Sequence, residues 1–432
     1  MTLEEQRGRG AERHLGRLLI LGPYDIWEPT SGAELRSLHL ARQLSAFLQV
    51  VCLCFRRDVG GQPERRALAA PGGSPLELWR IPRPQMYTFP KLLRGIFGWA
   101  PLTLLNYTCP AMAQALSEVF KERRFDFLQI ESAHMAAYLE GVLSRPDRPQ
   151  AVICDWHNVD SELMSRYRRH GDSVARRLYA AQTVPKIRAA ERALLRRATA
   201  HLAVSECDRH ALLEIEPRAN VFVVENGVDV EFLAKLAGPD PGEGDPRRFR
   251  VLFVGAMDYH ANVEAVERFA REVWPLVRER PGLVFTIVGR SPAASVRALA
   301  EMPDVEVTGT VADVRPFYRE ALVQVVPLRI GGGTRLKILE SMAAGVPVVT
   351  TALGAEGLRA QPGKDYLLAE SPGDFRDCIG RLAENPRLVQ RLTESAWDLV
   401  RRHYDWSATC APLRGIYAGL AGDDGSESRP PT

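Results

Sequence analysis

One stretch concentrates residues that could do chemistry: Gly331-Gly332-Gly333-Thr334-Arg335-Leu336-Lys337-Ile338-Leu339-Glu340, continuing to Pro347. Three successive glycines let the backbone turn tightly and leave its N–H groups uncovered. Thr334 is a good N-cap, and helix formers follow it. Arg335 and Lys337 then fall in the first helical turn, where the helix dipole disfavours cations. An anion bound there reverses that penalty, because glycine N–H groups, the helix N-terminus and two cations converge on it. Glu340 lies further along the helix, within reach of a neutral polar part of the same ligand. A phosphate beside hydroxyls describes a nucleotide. The competing reading is a glycine turn with solvated charges.

The elements needed to hold such a loop are readable on either side. Residues 322–328 form an apolar run of the kind that makes a buried strand, Leu336, Leu339 and Ala343 share one helical face, and Gly345 with Pro347 ends the helix. A strand follows from Val348. The chain opens on the same unit: a strand at 17–22, a turn-rich loop, Gly32 opening a helix to 47 with an apolar stripe, and a strand at 50–55. Further strands are expected at 76–81, 125–131, 150–155, 201–205 and 221–225. The Gly/Pro/Asp-rich stretch 238–246 reads as a linker, after which the pattern restarts with strands at 250–255, 283–289 and 305–309. Asn262 is expected to cap a helix to about residue 280. The predicted fold class is α/β: two doubly wound Rossmann-like domains facing a cleft. The expected boundaries are a disordered 1–13, a domain over 14–237, a linker over 238–249, a domain over 250–403, a C-terminal helix over 404–420 and a disordered tail over 421–432. Ligands of such sheets sit beyond the C-terminal ends of the strands, which singles out loops 22–32, 131–134, 157–162 and 226–229.

Composition narrows the classes. The chain has 432 residues and a net charge of +3, too balanced for a nucleic-acid footprint over the whole chain. Its seven cysteines are scattered and odd in number, which suits a reducing compartment and small core hydrophobes. The first thirteen residues lack a signal-peptide core, and the apolar region 92–105 is too short and interrupted to span a bilayer, so a cytoplasmic location is expected. Between residues 166 and 197 ten basic residues stand against only Asp172 and Glu191. That stretch is either a solvated helical face or a contact with an anionic membrane surface at its inner side. Few aromatics are interleaved with it, so nucleic acid is not expected as a partner. No metal-ligand cluster stands out, and no metal or cofactor is expected.

Several motifs together resemble the retaining, group 1 (family 4) glycosyltransferases of the two-Rossmann-domain, GT-B type. They are Val251-Leu-Phe-Val-Gly255 with Asn262-Val-Glu-Ala265, residues 285–289, Gly309-Thr-Val-Ala-Asp313 and residues 331–347. In the first half they are Gly32-x-x-x-Arg36-Ser37, Asp155-Trp156-His157-Asn158 and Glu225-Asn-Gly-Val-Asp229. The wording is most similar to a bacterial subgroup found with exopolysaccharide loci, some of it PEP-CTERM-associated. The resemblance implies a nucleoside diphosphate sugar held mainly by the second domain and a lipid-linked or glycan acceptor held mainly by the first. By the same resemblance Glu340 meets the ribose hydroxyls and backbone at Thr310 and Val311 meets the base. Arg290 follows the glycine of a strand end, where it either stacks on the base or approaches a phosphate, or is a plain surface arginine. Gly32, Gly255 and the loop Gly331, Gly332, Gly333 and Thr334 let the backbone approach the donor. His157 hydrogen-bonds a sugar hydroxyl or donor phosphate, and Asp155 caps a loop. Two departures stand out. Gly332 sits where the family's first glutamate usually is, and Ala256-Met257-Asp258-Tyr259-His260 replaces the usual cations after the first strand of the second domain. Arg335 and Lys337 are expected to take over from those cations, and with His157 they are the expected catalytic residues. A catalytically inactive binding protein of the same fold, or a sugar-nucleotide epimerase, are the alternatives.

Overall fold

The computed structural model describes residues 14–29, 31–70, 72–170, 174–234, 249–280, 282–330 and 336–422; the side chains of residues 59, 166–176 and 234 are also outside the description. The expected disordered N-terminus, the linker 238–246, most of the tail, and Gly331, Gly332, Gly333, Thr334 and Arg335 therefore lie outside the described residues.

In chain order, β1 (Arg17–Gly22) leads to α1 (Gly32–Leu44), β2 (Gln49–Val59), β3 (Glu64–Leu68) and β4 (Leu76–Arg83). Next come α2 (Phe89–Phe97), α3 (Leu102–Asn106), α4 (Pro110–Glu122), β5 (Phe127–Glu131), β6 (Ala151–Trp156), α5 (Asp160–His170), α6 (Val174–Arg197), β7 (Ala200–Ala203), α7 (Glu206–Ile215) and β8 (Val221–Val223). These strands form one sheet in the order β3-β4-β2-β1-β5-β6-β7-β8, parallel except for the β3–β4 pair. Leu18, Leu19, Ile20 and Leu21 are all buried, as a parallel strand covered on both faces requires. Ser31 and Glu34 close a reciprocal capping box at the start of α1, so that helix begins where Gly32 was expected to open it.

The second sheet is built from β9 (Phe249–Val254), β10 (Leu283–Val288), β11 (Val305–Gly309), β12 (Ala321–Val326), β13 (Val348–Thr350) and β14 (Leu367–Leu368), in the order β11-β10-β9-β12-β13-β14. It carries α8 (His260–Arg268), α9 (Leu336–Ala343), α10 (Pro372–Glu384) and α11 (Pro386–His403). The chain ends its described part in α12 (Leu413–Gly422). Two compact units result. One holds the chain up to Val224 together with everything from Cys410, and the other holds Glu225–Thr409. Both are doubly wound α/β units, as expected. The helix expected over 404–420 is instead two pieces, and α12 packs on the first sheet through Tyr417, whose hydroxyl donates to Gln129 on β5.

Two local expectations are corrected, and two stretches hold elements that the sequence did not mark. Asn262 is not a cap: α8 starts at His260, and Asn262 is buried inside its first turn. The interrupted apolar region 92–105 lies largely within α2 and α3. The exposed edge strand β3 gave no apolar signal, because Arg65 covers Trp79 of β4 from the solvent side instead. Not all cysteines are core residues, since Cys207 is exposed and Cys109 half-buried.

Candidate functional site

In the second unit, β9 and β10 end against each other. A Cβ on Gly289 would lie 1.7 Å from the carbonyl oxygen of Gly255, so the end of β10 requires glycine. Gly255 is also closed in from the side, where a Cβ would meet Asn262 Nδ2 at 2.8 Å and Lys337 Nζ at 3.0 Å. Asn262 donates to the carbonyl of Ala256 (2.9 Å) and accepts from Lys337 (2.6 Å), while the same ammonium lies 4.3 Å from the centre of the Phe253 ring. Lys337 of α9 is thus fixed over the end of β9. Gly309 ends β11 with a positive φ of 71°, presenting Thr310 to solvent and Val311 half-buried. Arg290 follows Gly289, and its guanidinium lies 3.8 Å from Asp258.

Glu340 stands one turn along α9 from Lys337. Burial raises its pKa, against a hydrogen bond from the buried Tyr318 hydroxyl (3.4 Å) and the attraction of Lys337. A carboxylate so placed gains from any further donor, and a vicinal diol supplies two.

The first unit holds a different constellation. β5 and β6 pair so that Glu131 and Asp155 are neighbours at their C-terminal ends. Arg36 of α1 binds Asp155 through both Nε (2.8 Å) and Nη2 (2.6 Å), and donates a third bond to the carbonyl of Val224 (2.9 Å). Ser37 donates to Glu131 (2.8 Å). His157, two residues past Asp155, places Nε2 at 2.9 Å from Glu131 and 3.3 Å from Asp155. Burial pulls the imidazole pKa down, but the hydrogen bonds and charges of Asp155 and Glu131 outweigh it and hold the group up at about 9. Burial would raise Asp155, yet Arg36 and His157 keep it well below the ordinary carboxylate range. At neutral pH His157 is therefore an imidazolium with both ring nitrogens protonated. Its Nδ1 is buried without a hydrogen-bond partner among the described residues. Beside it, Tyr24 stacks on His157 at 6.0 Å, Tyr107 meets Tyr24 at 6.3 Å, and His134 meets Tyr107 at 4.8 Å. At the end of β5, Ser132 has a φ of 70° and bonds His134.

Glu131, Asp155 and His157 bring ligand atoms within 4.8 Å of one another. An ion there would have to take the Nε2 proton of His157 and compete with Arg36 for Asp155, so the set suits an ion-pair network better than a metal. Asp155 is accordingly not a loop cap but the buried counter-ion of Arg36. The motif at residues 225–229 turns out to serve packing: Glu225 pairs with Arg359 (2.7 Å), and Gly227 lies against Trp406. Of the basic stretch 166–197, Lys186, Arg192, Arg196 and Arg197 bond to protein partners. Arg177 and Arg188 lie exposed on the same helix. Sequence reasoning quoted Arg36 in a motif and flagged the loop at Glu131, but gave neither a role. Tyr24 carried no signal beyond lying in a strand-end loop.

Residues 31–227 match the model of the glycosyl transferase 4-like domain, and residues 248–385 match that of glycosyl transferases group 1. A D-inositol 3-phosphate glycosyltransferase of Thermomonospora curvata is 31% identical over 228 residues, which are 46% of this chain and 51% of that protein. An uncharacterized 44.6 kDa protein from the cps region of Klebsiella pneumoniae is 22% identical over 170 residues, 37% of this chain and 44% of that one. The chain thus spans about half the length of these relatives. Among solved structures, sucrose-phosphate synthase of Thermosynechococcus elongatus superimposes with a TM-score of 0.71 at 17% identity, over 94% of this chain and 99% of that one. Anabaena HepE in complex with UDP and glucose does so with a TM-score of 0.62 at 14% identity, over 93% and 99%. These neighbours share the GT-B fold with this chain.

Proposed function

The chain carries, in order, the two domains of the group 1 glycosyltransferases, and from that premise we propose that it is a retaining transferase. It moves a sugar from a nucleoside diphosphate donor to an acceptor hydroxyl in the synthesis of a cell-surface glycan such as an exopolysaccharide. The acceptor in this reading is a lipid-linked or growing glycan at the inner face of the cytoplasmic membrane. The observation that carries the donor assignment is the pair Lys337 and Glu340, one turn apart on α9 at the C-terminal end of β9.

Lys337 gives the departing diphosphate a fixed cation, and Glu340 accepts from the ribose hydroxyls. As the bond from the anomeric carbon to phosphate breaks, charge grows on the diphosphate, so a preset cation lowers the barrier more than it stabilises the bound donor. Arg335 is the second cation of this reading. His157, charged at neutral pH, cannot serve as the base. Its Nδ1–H instead donates to a substrate oxygen, and the leaving phosphate takes the acceptor proton. The solved neighbour bound to UDP and glucose makes a uridine donor the first to test. The test is a thermal-shift screen of UDP, GDP and ADP and their glucose conjugates, followed by release of labelled sugar. A nucleoside diphosphate should raise the melting temperature, and its sugar conjugate should be consumed. No stabilisation by any nucleotide and no consumption of donor would refute the assignment.

A further inference from the structure

Helix α2 is amphipathic in the reverse sense of a core-facing helix. At helical spacing Phe89, Leu92, Leu93, Ile96 and Phe97 share an arc of about 140°, and Lys91 and Gly95 lie opposite. The structure turns the polar side inward. Lys91 Nζ donates to the carbonyls of Gln85 (2.8 Å) and Asn106 (3.3 Å), and Gly95 packs on Leu102 of α3. Gln182 and Lys186 of α6 bond the carbonyls of Gly95 and Ile96 at 2.8 Å. No residue of α2 is buried. Phe89 is 73% exposed, Phe97 83% and Trp99, just past the helix, 91%. Leu178, one turn before Gln182 on α6, adds another exposed apolar side chain.

Charge says what covers this face. No Asp or Glu occurs from residue 78 to 117 or from 173 to 190, the two segments that meet here. Arg94 is exposed on α2, and Arg177 and Arg188 are exposed on α6. Aromatic rings close both ends of the helix, Tyr87 before it and Trp99 after it, as in segments that lie in a bilayer interface. A second copy seated on the same face would bring cations onto cations. We propose that α2, with Trp99 and Leu178, docks in the headgroup layer of an anionic phospholipid bilayer. The apolar helix face does this, with the basic stretch of α6 beside it. The surface lies close to the first unit's site: Tyr87 N–H donates to Asn106, and the next residue, Tyr107, joins the ring series that reaches His157. The proposal suits a lipid-borne acceptor but does not rest on sugar transfer.

The full chain is sedimented with phosphatidylcholine vesicles, with and without phosphatidylglycerol. It should bind the phosphatidylglycerol vesicles, and Phe97→Asp/Trp99→Asp should weaken binding about tenfold or more with melting temperature unchanged. In the wild type, vesicles should shift tryptophan fluorescence to the blue, and Trp99→Phe should abolish that shift. Wild-type protein that ignores phosphatidylglycerol vesicles, binding untouched by the double substitution, or a shift that survives Trp99→Phe would each overturn the proposal. So would a dimer in light scattering that the double variant splits, with no vesicle binding. None of these readouts uses turnover, so failure here leaves the transfer reading standing, and the reverse.

Discussion

Lys337 shows how much one side chain can be constrained before any ligand arrives. Its ammonium is held by Asn262 and sits over Phe253, so little rotamer entropy is left to lose on binding an anion. Lys337→Ala should therefore weaken nucleoside diphosphate binding by about 1.5–3 kcal/mol, tenfold or more in Kd by calorimetry, with little change in fold stability. His157 makes a pH prediction. Its pKa in the folded state lies above the ordinary imidazole value, so its contribution to stability is complete below about pH 6.5 and is lost as pH rises through about 9. The melting temperature of wild type should exceed that of His157→Gln most near pH 6, and the gap should close by about pH 10. A gap constant across that range would mean that the imidazole is neutral.

At the scale of elements, the buried strands were legible, while the exposed strand β3 and the helices that cover no core were not. Leu18 to Leu21 of β1 is covered on both faces and reads as a continuous apolar run, so its place in a parallel sheet follows from hydrophobicity alone, while β9 and β12 show the same run interrupted by Arg250 and Gln324. Helix α2 was not legible, because its apolar side chains cover nothing in the core and looked like an interrupted apolar loop. The site divided in the same way. Gly255 and Gly289 could be marked as strand ends, and Lys337 and Glu340 were marked by type and spacing. Arg36 and Asp155 are 119 residues apart, and only the fold shows that α1 is fastened to β6 by a buried ion pair. Arg36→Ala should cost about 3–5 kcal/mol in denaturant unfolding, because it strands a buried carboxylate. Arg36→Met/Asp155→Leu should recover most of that loss. The two glycines should differ. In Gly255→Ala the new methyl crowds the side-chain ends of Asn262 and Lys337 and pushes them from their seat, so nucleotide binding should fail while the fold survives. In Gly289→Ala it meets a backbone carbonyl, so soluble folded protein should be lost, as circular dichroism of the expressed chains would show.

For the whole molecule, the division into units does not follow the order of the chain. The unit that begins the chain also takes back its last described helix, with Tyr417 bonded to Gln129 and its ring 5.2 Å from that of Phe127. A chain stopped before Cys410 should lose hydrogen-exchange protection in β1 and β5 while β9, β10 and β12 keep theirs, a contrast readable by mass spectrometry. The same return sets a sequence of events during synthesis. The second unit is an insert whose residues are all present once Thr409 has emerged, whereas the first unit, although translated earlier, must wait for Tyr417. Until then its central strands are exposed on the side that α12 later covers. The half of the protein made first is thus the half finished last, and it is the one that needs shelter from aggregation on the ribosome.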